Sequence, residues 1–581
     1  MTEIIDQYTM ETTWSTRLTN DIVLESIQGQ IPADMESNIL NGIGLLNTNK
    51  HIDDKEIFIT LFSLILKENT NYPIQAIATP LGKSAGFIEE PTAAFDWGVL
   101  LLKECRNSGL YNFRVGYNEC QISPNYTLDG KTKQKLDKLQ YLPPMKQLPL
   151  KWKNNENGGW LWESKHLILG NRFNRHDEPL AYDVINKLQG IQWEIDNDTY
   201  LSEVQTNRTM KQKQFLRVLD QYIGTYFHFV WRYDSRGRSY SSGYDINLQT
   251  NEYGKALLSF YNKEEIVNLP NLYIAIANHA GKDKLTWAER VDWVSKQTIE
   301  DIEWEEPILG RKAVRALRDT AAGRPTGYAM SIDATASGLQ IMAVLSGCKQ
   351  TAKFVNCIDP NKRYDLYTEV ADLMNQKLTS PLPRKIVKEV AMTHYYNSRA
   401  KPKALLSDEE LKVFYEVMEG LLPGAEAVMT MINSCWNDQA DHHSWIMPDG
   451  HTVYVPVIES VSGIYSDIEF GDIPLRWHNQ TKSDNFRSLC PNVIHSIDGY
   501  VAREMVRRCD FQLSHIHDCF VFNPNYLQKV CKTYREIMAE IAKSDLLKDI
   551  LRQITGDPSL QVTKASTDLD LNIINSSYML S

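Results

Sequence analysis

Nowhere do apolar residues run unbroken for the roughly 18 positions that a membrane-spanning helix needs, so a helical membrane protein is excluded. The nine cysteines are scattered, without one CxxC pair or metal-type spacing, which argues against a disulfide scaffold and for free thiols in a reducing compartment. Basic residues are not in excess: 62 Lys and Arg face 73 Asp and Glu, for a net charge of −11. That excludes a generic nucleic-acid coat but not a local basic channel, because net charge reports the whole surface and not one groove. The opening "MTEIIDQYTMETTWSTRLTNDIV" has neither a signal h-region nor an Arg-rich transit pattern, so a cytoplasmic location is expected. Internal repeats and low-complexity linkers are also missing.

What is present is a chain of 581 residues, too long for one ordinary core, with 43% hydrophobic and 10% aromatic residues. Several globular subdomains follow. Residues 1 to about 140 read as mostly helical, with "IFITLFSLIL" (57–66) as core. The Pro- and Gly-punctuated stretch 142–162 reads as a long irregular connection. "AYDVINKLQGIQWEIDNDTYLSEV" (181–204) reads as one helix from the spacing of Ile185, Leu188, Ile191 and Ile195. From about 225 the texture changes. Short β-prone runs, "TYFHFVWRY", "GYAMSID", "HTVYVPVI" and "FQLSHIHDCFVF", alternate with long helical blocks, which predicts an α+β fold with an antiparallel sheet surrounded by helices. Three basic stretches, 131–140, 208–217 and 383–390, fit solvated helix faces or phosphate tracks.

Four constellations can carry chemistry. In "SIDATASGLQ" (331–340), Asp333 ends an apolar run and is followed only by small residues. It suits a helix N-cap, or a metal ligand with space beside it. In "LSHIHDCFVF", His517 and Asp518 sit between apolar runs, as at the tip of a tight hairpin, where aspartate is also an ordinary turn residue. Paired, Asp333 and Asp518 could hold two Mg²⁺ ions roughly 3.5–4 Å apart for phosphoryl transfer. "PRKIVKEVAMTHYYNS" places Arg384, Lys388, Met392 and Tyr396 at intervals of four. On a helix these share one face over three turns, roughly 18 Å. Cation, cation, thioether, aromatic is not a core stripe; it suits a triphosphate, then a base and sugar. "YDSRGRSY" sets Asp234 four residues before Arg238 with Gly237 between, which fits either a salt-bridged turn or a backbone approach to phosphate.

Taken in chain order, these stretches resemble the single-subunit RNA polymerases of T7-type phages and mitochondria. That family runs DxxGR, a motif A aspartate, an RxxxKxxxMTxxY helix, PNxxHSxDG and a motif C HD. Here the matches are Asp234–Arg238, Asp333, Arg384–Tyr396, "PNVIHSIDG" (491–499) and His517–Asp518, joined by "WIMPDGHTVYVP" (445–456) and the final "LDLNIINSSYMLS". "NKLQGIQWEI" is similar to a helix just upstream of the family's thumb, so the resemblance covers roughly 142–581.

The resemblance implies a right-hand polymerase fold. It would have a helical N-terminal domain at 1–140, a connection and reduced thumb at 141–225, and palm and fingers at 226–581, with fingers at about 370–440. It implies a DNA-directed RNA polymerase that transfers nucleotides from NTPs to an RNA 3′-OH on a DNA template. Asp333 and Asp518 would hold two Mg²⁺ ions. Arg384 and Lys388 would hold the triphosphate, with Lys388 a general acid toward pyrophosphate, and Tyr396 would close over the incoming base pair. His495 would lie near the 2′-OH, Lys284 would be a further phosphate contact, and Asp234 and Arg238 would meet template or hybrid. Gly338 stands where related DNA polymerases carry a glutamate that excludes ribose, and Met392 with Thr393 matches the RNA-polymerase form of the helix.

Departures sharpen the expectation. Asn397 replaces the family's glycine, the thumb interval is short, and so is the segment between motif A and the RxxxK helix. The loop at about 458–485 lacks obvious base-reading cations and contains the acidic "DIEFGD". The N-terminal 140 residues match no promoter-binding domain. An accessory transcription factor, a single-stranded-DNA-binding protein or single-stranded DNA itself is therefore the expected aid at promoters, with phage transcription in a host cytoplasm favoured over a mitochondrial setting. The competing readings are a DNA polymerase of the same architecture, a catalytically inactive nucleic-acid-binding regulator and a Mg²⁺-dependent phosphohydrolase.

Overall fold

A computed structural model describes residues 31–48, 52–66, 71–87, 90–117, 119–127, 129, 142–161, 165–203, 215–216, 218–243, 245–395 and 400–581. Helices and small antiparallel sheets alternate, as an α+β chain requires. The expectation of one sheet is corrected: among the described residues the strands form six sheets of two or three strands each. The reason lies in how the β-prone runs break. Within "TYFHFVWRY", Tyr226–Phe227 pairs with Trp193–Glu194, whereas Val230–Tyr233 pairs with Ser239–Ser242, so one run serves two sheets. Among the described residues no helix is long and apolar enough to cross a membrane.

The chain divides into two compact units. The first is drawn from Met1–Pro143, Trp160–Ser164 and Ile458–Thr481. Its helices are Ala33–Leu46, Asp54–Leu66, Ile74–Ser84 and Pro91–Glu104, followed by the hairpin Tyr111–Gly116 and Glu119–Pro124. "IFITLFSLIL" lies in Asp54–Leu66 and buries Ile57, Phe58, Leu61, Phe62 and Ile65 at helical spacing. The basic stretch 131–140 lies outside the described residues, as does most of 208–217.

The acidic loop has a use in this unit. Ile458–Asp467 and Gly471–Gln480 pair over ten residues each, and the turn between them meets the helix Pro91–Glu104 and the residues just after it. Lys103 Nζ lies 2.6 Å from Asp467, and Arg106 grips Glu469 through two bonds of 2.8 and 2.7 Å. Phe470 is buried against Phe113, with ring centroids 4.8 Å apart, and Lys103 lies over its ring. The apolar anchor outweighs the exposed Arg106–Glu469 pair, since exposed ion pairs contribute little. Phe470→Ala should destabilise this unit by about 3–5 kcal/mol, and Glu469→Ala by only a small fraction of that. Hydrogen exchange of the Ile458–Asp467 amides would read both. Equal losses of protection would mean that charge, not packing, holds the hairpin.

The second unit is drawn from Pro144–Gly159, Lys165–Val457 and Lys482–Ser581. Its first segment is irregular but anchored, with buried Trp152 donating from Nε1 to Gln189 Oε1 at 3.0 Å. The single helix expected at 181–204 is corrected. It is the helix Tyr182–Gln189, the strand Trp193–Ile195 and the helix Asn197–Glu203. Gly190 caps the first helix, after which Trp193 and Ile195 turn inward and Glu194 outward, a period of two. Trp193 then pairs with both Phe227 and Phe260, forming the centre of a three-stranded sheet.

Candidate active site

Met330–Asp333, Cys519–Phe522 and Leu513–Ile516 form a three-stranded antiparallel sheet with Cys519–Phe522 in the middle. Ile516 pairs with Cys519, so the connecting loop is His517 and Asp518 alone, and His517 adopts a positive φ of 56° to close it. Cys519 pairs in turn with Asp333. Strand register therefore sets Asp518 and Asp333 side by side at one end of the sheet.

Asp333 does not cap the following helix. Ser337–Ser346 has Ala336 at its N-cap position, without a side-chain cap. The small residues after Asp333 instead admit the chain's own last residues. Ala334 bridges Leu580, Thr335 N–H donates to Met579 O at 3.0 Å, and Ser581 N–H donates to Asp333 O at 2.9 Å. Gly338 is the second residue of the helix, beside Ser337, whose hydroxyl bonds Asp518.

Both carboxyls are held above the usual range. For Asp518 the causes are desolvation by the surrounding protein, then Asp498 and Asp333; for Asp333, desolvation first, with Asp498 adding to it while Lys255 and Lys388 pull the other way. Asp498 is the third carboxylate here, and it is already neutralised by Arg238, whose Nε and outer nitrogen lie 2.9 and 2.8 Å from Oδ2. Asp333, exposed at the end of its strand, and Asp518, partly buried, remain as the carboxyl pair. Among the described residues no group of three or more His, Cys, Asp or Glu side chains is arranged around a metal. Two carboxylates suffice for Mg²⁺, which keeps waters and takes substrate phosphate oxygens as its other ligands.

The DxxGR turn backs this pair. Asp234 Oδ1 accepts from the N–H groups of Arg236 and Arg238 at 2.9 and 3.0 Å, and Oδ2 accepts from the Arg236 side chain and Tyr240 OH. Its carboxylate is thus spent on shaping the turn. Gly237, at φ 86°, permits it, because a Cβ there would lie 2.7 Å from both Arg503 and His451. Gly499, on the helix Leu489–Arg508, is equally constrained: its Cβ would meet Gly237 O at 2.6 Å. This close approach brings Asp498 to Arg238 and His495 to Arg236, whose guanidinium lies 2.7 Å from His495 Nδ1. Burial, then Arg238, Arg236 and His517, push the His495 imidazolium down to about 2. The neutral ring accepts at Nδ1, so its proton sits on Nε2.

The helix Arg384–His394 buries Val387, Val390, Ala391 and His394. Its opposite face carries Arg384, Lys388 and Met392, the last 49% exposed. Arg384 is fixed by Asp365, through Nε at 3.0 Å and an outer nitrogen at 2.8 and 2.6 Å, and by Thr368 Oγ1 at 2.9 Å. Lys284 pairs with neighbouring Asp283. Tyr396 and Asn397 lie outside the described residues. Sequence reasoning missed Lys255, Asp365 and Asp498. Asp498 lies inside the quoted "PNVIHSIDG", and its partner Arg238 was already singled out; the others carry no local signal.

Residues 321–401, which include Asp333, Gly338 and the Arg384–Tyr396 segment, match the family model of DNA-dependent RNA polymerase. A probable DNA-directed RNA polymerase of Gelasinospora sp. (strain G114) is 21% identical over 511 residues, covering 70% of this chain and 61% of that protein. The DNA-directed RNA polymerase of Pseudomonas phage phiKMV is 29% identical over 198 residues, 29% of this chain and 24% of the phage protein. DNA-directed RNA polymerase 1, mitochondrial, of Arabidopsis thaliana is 21% identical over 509 residues, 75% of this chain and 49% of that protein. The matches thus span less than two thirds of each relative's length.

Proposed function

We propose that this chain, related to the single-subunit DNA-directed RNA polymerases of phages and organelles, is a compact DNA-directed RNA polymerase. The observation that carries the reading is the Asp333–Asp518 carboxyl pair set side by side by strand register, within electrostatic reach of Lys388 on a helix whose solvent face also bears Arg384. In this reading the sheet bearing Asp333 and Asp518 is the palm, the helices around Arg384–His394 are the fingers, and the thumb is reduced. Asp333 and Asp518 would hold two Mg²⁺ ions, which when bound stabilise charge on the attacking and leaving oxygens of an in-line displacement.

The chain's own groups supply the rest. The RNA 3′-oxygen attacks the α-phosphorus, and the bond to pyrophosphate breaks. Arg384 is oriented by Asp365 through two of its nitrogens, and the third, with no hydrogen-bond partner among the described residues, is the donor for a phosphate oxygen. Lys284 adds charge there, and Lys388 delivers a proton to the leaving pyrophosphate. His495 offers Nε2–H to the 2′-OH, which can accept it. In this reading Gly338 would leave room for that hydroxyl, Met392 and, by the family's pattern, Tyr396 would meet base and sugar, and the turn of Asp234 and Arg238 would meet template or hybrid. Acceleration in such a site comes from positioning and electrostatics. DNA template, NTPs and RNA product are the substrates and product; an accessory factor or single-stranded DNA assists promoter use, in the cytoplasm of a phage-infected host.

Extension of an RNA primer on a DNA template, with Mg²⁺ and NTPs or dNTPs supplied separately, tests this. Extension with NTPs alone is expected. A dNTP preference would make the chain a DNA polymerase, and template binding without extension by either would make it a regulator.

A further inference from the structure

Arg363 belongs to none of the motifs, yet the fold fixes it beside Asp333. Asn356, at φ 63°, accepts from Tyr364 N–H at 2.6 Å and donates back to Tyr364 O at 3.0 Å, pinning the loop that carries Arg363. The same amide donates to Thr335 Oγ1 at 3.2 Å, two residues beyond Asp333, and Ser576 Oγ donates to Asn356 O at 2.6 Å. Arg363 Nε donates to Ser581 Oγ at 3.0 Å, and Ser581 N–H donates to Asp333 O at 2.9 Å. One residue therefore separates this guanidinium from the backbone of the proposed metal-binding aspartate.

The rest of the guanidinium is uncommitted. Arg363 is half-buried, and among the described residues its two outer nitrogens make no hydrogen bond. Two carboxylates lie within electrostatic reach, Asp283 and Asp365, but Lys284 occupies the first and Arg384 the second. Arg384 is itself a repelling neighbour. Arg290, which also donates to Ser581 Oγ, acts on Asp283 as well, so four cations share two carboxylates at a place where burial makes an unpaired charge costly. An arginine fork held rigidly by one nitrogen, with two donors left over, matches the oxygens of a phosphate group.

Resting on the polymerase reading above, we infer that Arg363 is a further contact for the polyphosphate tail of the incoming nucleoside triphosphate, and for pyrophosphate in the reverse reaction. Ser581 acts through it as a positioning residue. An arginine present only to hold Ser581 would affect stability and kcat; a phosphate contact affects the concentration of NTP needed.

The test is single-nucleotide addition with NTP varied, and pyrophosphorolysis with inorganic pyrophosphate varied, in Arg363→Gln and Arg363→Lys beside the unaltered chain. KM for both should rise about tenfold in Arg363→Gln and about threefold in Arg363→Lys, with kcat falling by less than about threefold and primer–template affinity unchanged. If Arg363→Gln does not fold, Arg363→Lys still carries the charge-retaining half of the test. Unchanged KM for both ligands in a folded variant, or a defect confined to primer–template binding, would overturn the inference. No extension by the unaltered chain would instead overturn the polymerase reading itself.

Discussion

Asp518→Asn should abolish nucleotide addition and, in the metal-free protein, raise the melting temperature. The two effects have one origin. Asp333 and Asp518 lie side by side, and both carboxyls are raised, first by desolvation and then by the charge of Asp498, with Asp333 adding to the shift of Asp518. Like charges confined together at low dielectric oppose folding until a cation arrives. An asparagine of the same shape removes half of the pair and its repulsion, a gain of about 1–3 kcal/mol and a shift of a few degrees. It also removes a ligand from the proposed Mg²⁺ site, for a loss on the order of 10³-fold or more in kcat. Asp498→Asn is the contrasting control. Asp498 pairs with Arg238, whose side chain is only 13% exposed, so its loss leaves a nearly buried guanidinium uncompensated and should lower stability by about 3–5 kcal/mol. Single-turnover extension, together with melting in a chelator, reads both. An Asp518→Asn protein that still extends RNA and melts lower would reduce Asp518 to a turn residue.

Much of this centre was legible from short-range pattern. A two-residue loop between alternating apolar runs announced the hairpin at His517–Asp518, and an apolar run ending in Asp333 announced its partner strand. What the pattern left open was which role Asp333 plays, and the absence of any side-chain cap on Ser337–Ser346 removes the N-cap alternative. The misread helix at 181–204 shows where periodicity misleads. Ile191 and Ile195 stand four apart, yet Gly190 has already ended the helix, and the two residues belong to an approach and a strand. Long-range pairings were illegible altogether. Asp365 meets Arg384 19 positions later, and Arg106 meets Glu469 363 positions later. The charges in "DIEFGD" therefore looked like a deficit of DNA-reading cations when two of them are a docking surface for the chain's own helix. Arg363 was invisible for the same reason, since Ser581 lies 218 positions away.

Asp449→Asn should be the most destabilising single substitution of a charged residue behind the site, and its cost should shrink in acid. The Asp449 side chain is 3% exposed and sits in the turn of "MPDGH". It accepts from Arg503 Nε at 2.6 Å and an outer nitrogen at 3.1 Å, and from Arg507 at 2.8 Å. Arg503 is fully buried and spends its remaining nitrogen on Gly237 O at 2.7 Å, so one guanidinium ties this turn to the DxxGR turn that presents Arg238 to Asp498. Removing the countercharge leaves Arg503 buried and uncompensated, a loss of about 3–5 kcal/mol near neutrality. Burial alone would raise the Asp449 carboxyl, but Arg503, by charge and by hydrogen bond, overrides it and holds the group well below the usual carboxylate range. A carboxyl depressed in the fold stabilises above its unfolded value of about 3.9 and loses that contribution as pH falls through the folded value. His451 beside it is fully buried and held far below its ordinary value, by burial and then by Arg503. It stays neutral in the fold, so it weakens the native state progressively below about pH 6.5, where the unfolded ring gains a proton. The acid limb of the unaltered protein should therefore have two components, an upper one from His451 and a lower one from Asp449. Urea unfolding at intervals from pH 7 to pH 3 separates them: the gap between the unaltered chain and Asp449→Asn should hold steady to about pH 4 and then close. A gap that stays constant to pH 3 would mean that Asp449 contributes through its hydrogen bonds as a neutral acceptor, and that its charge plays no part in holding Arg503 against Gly237.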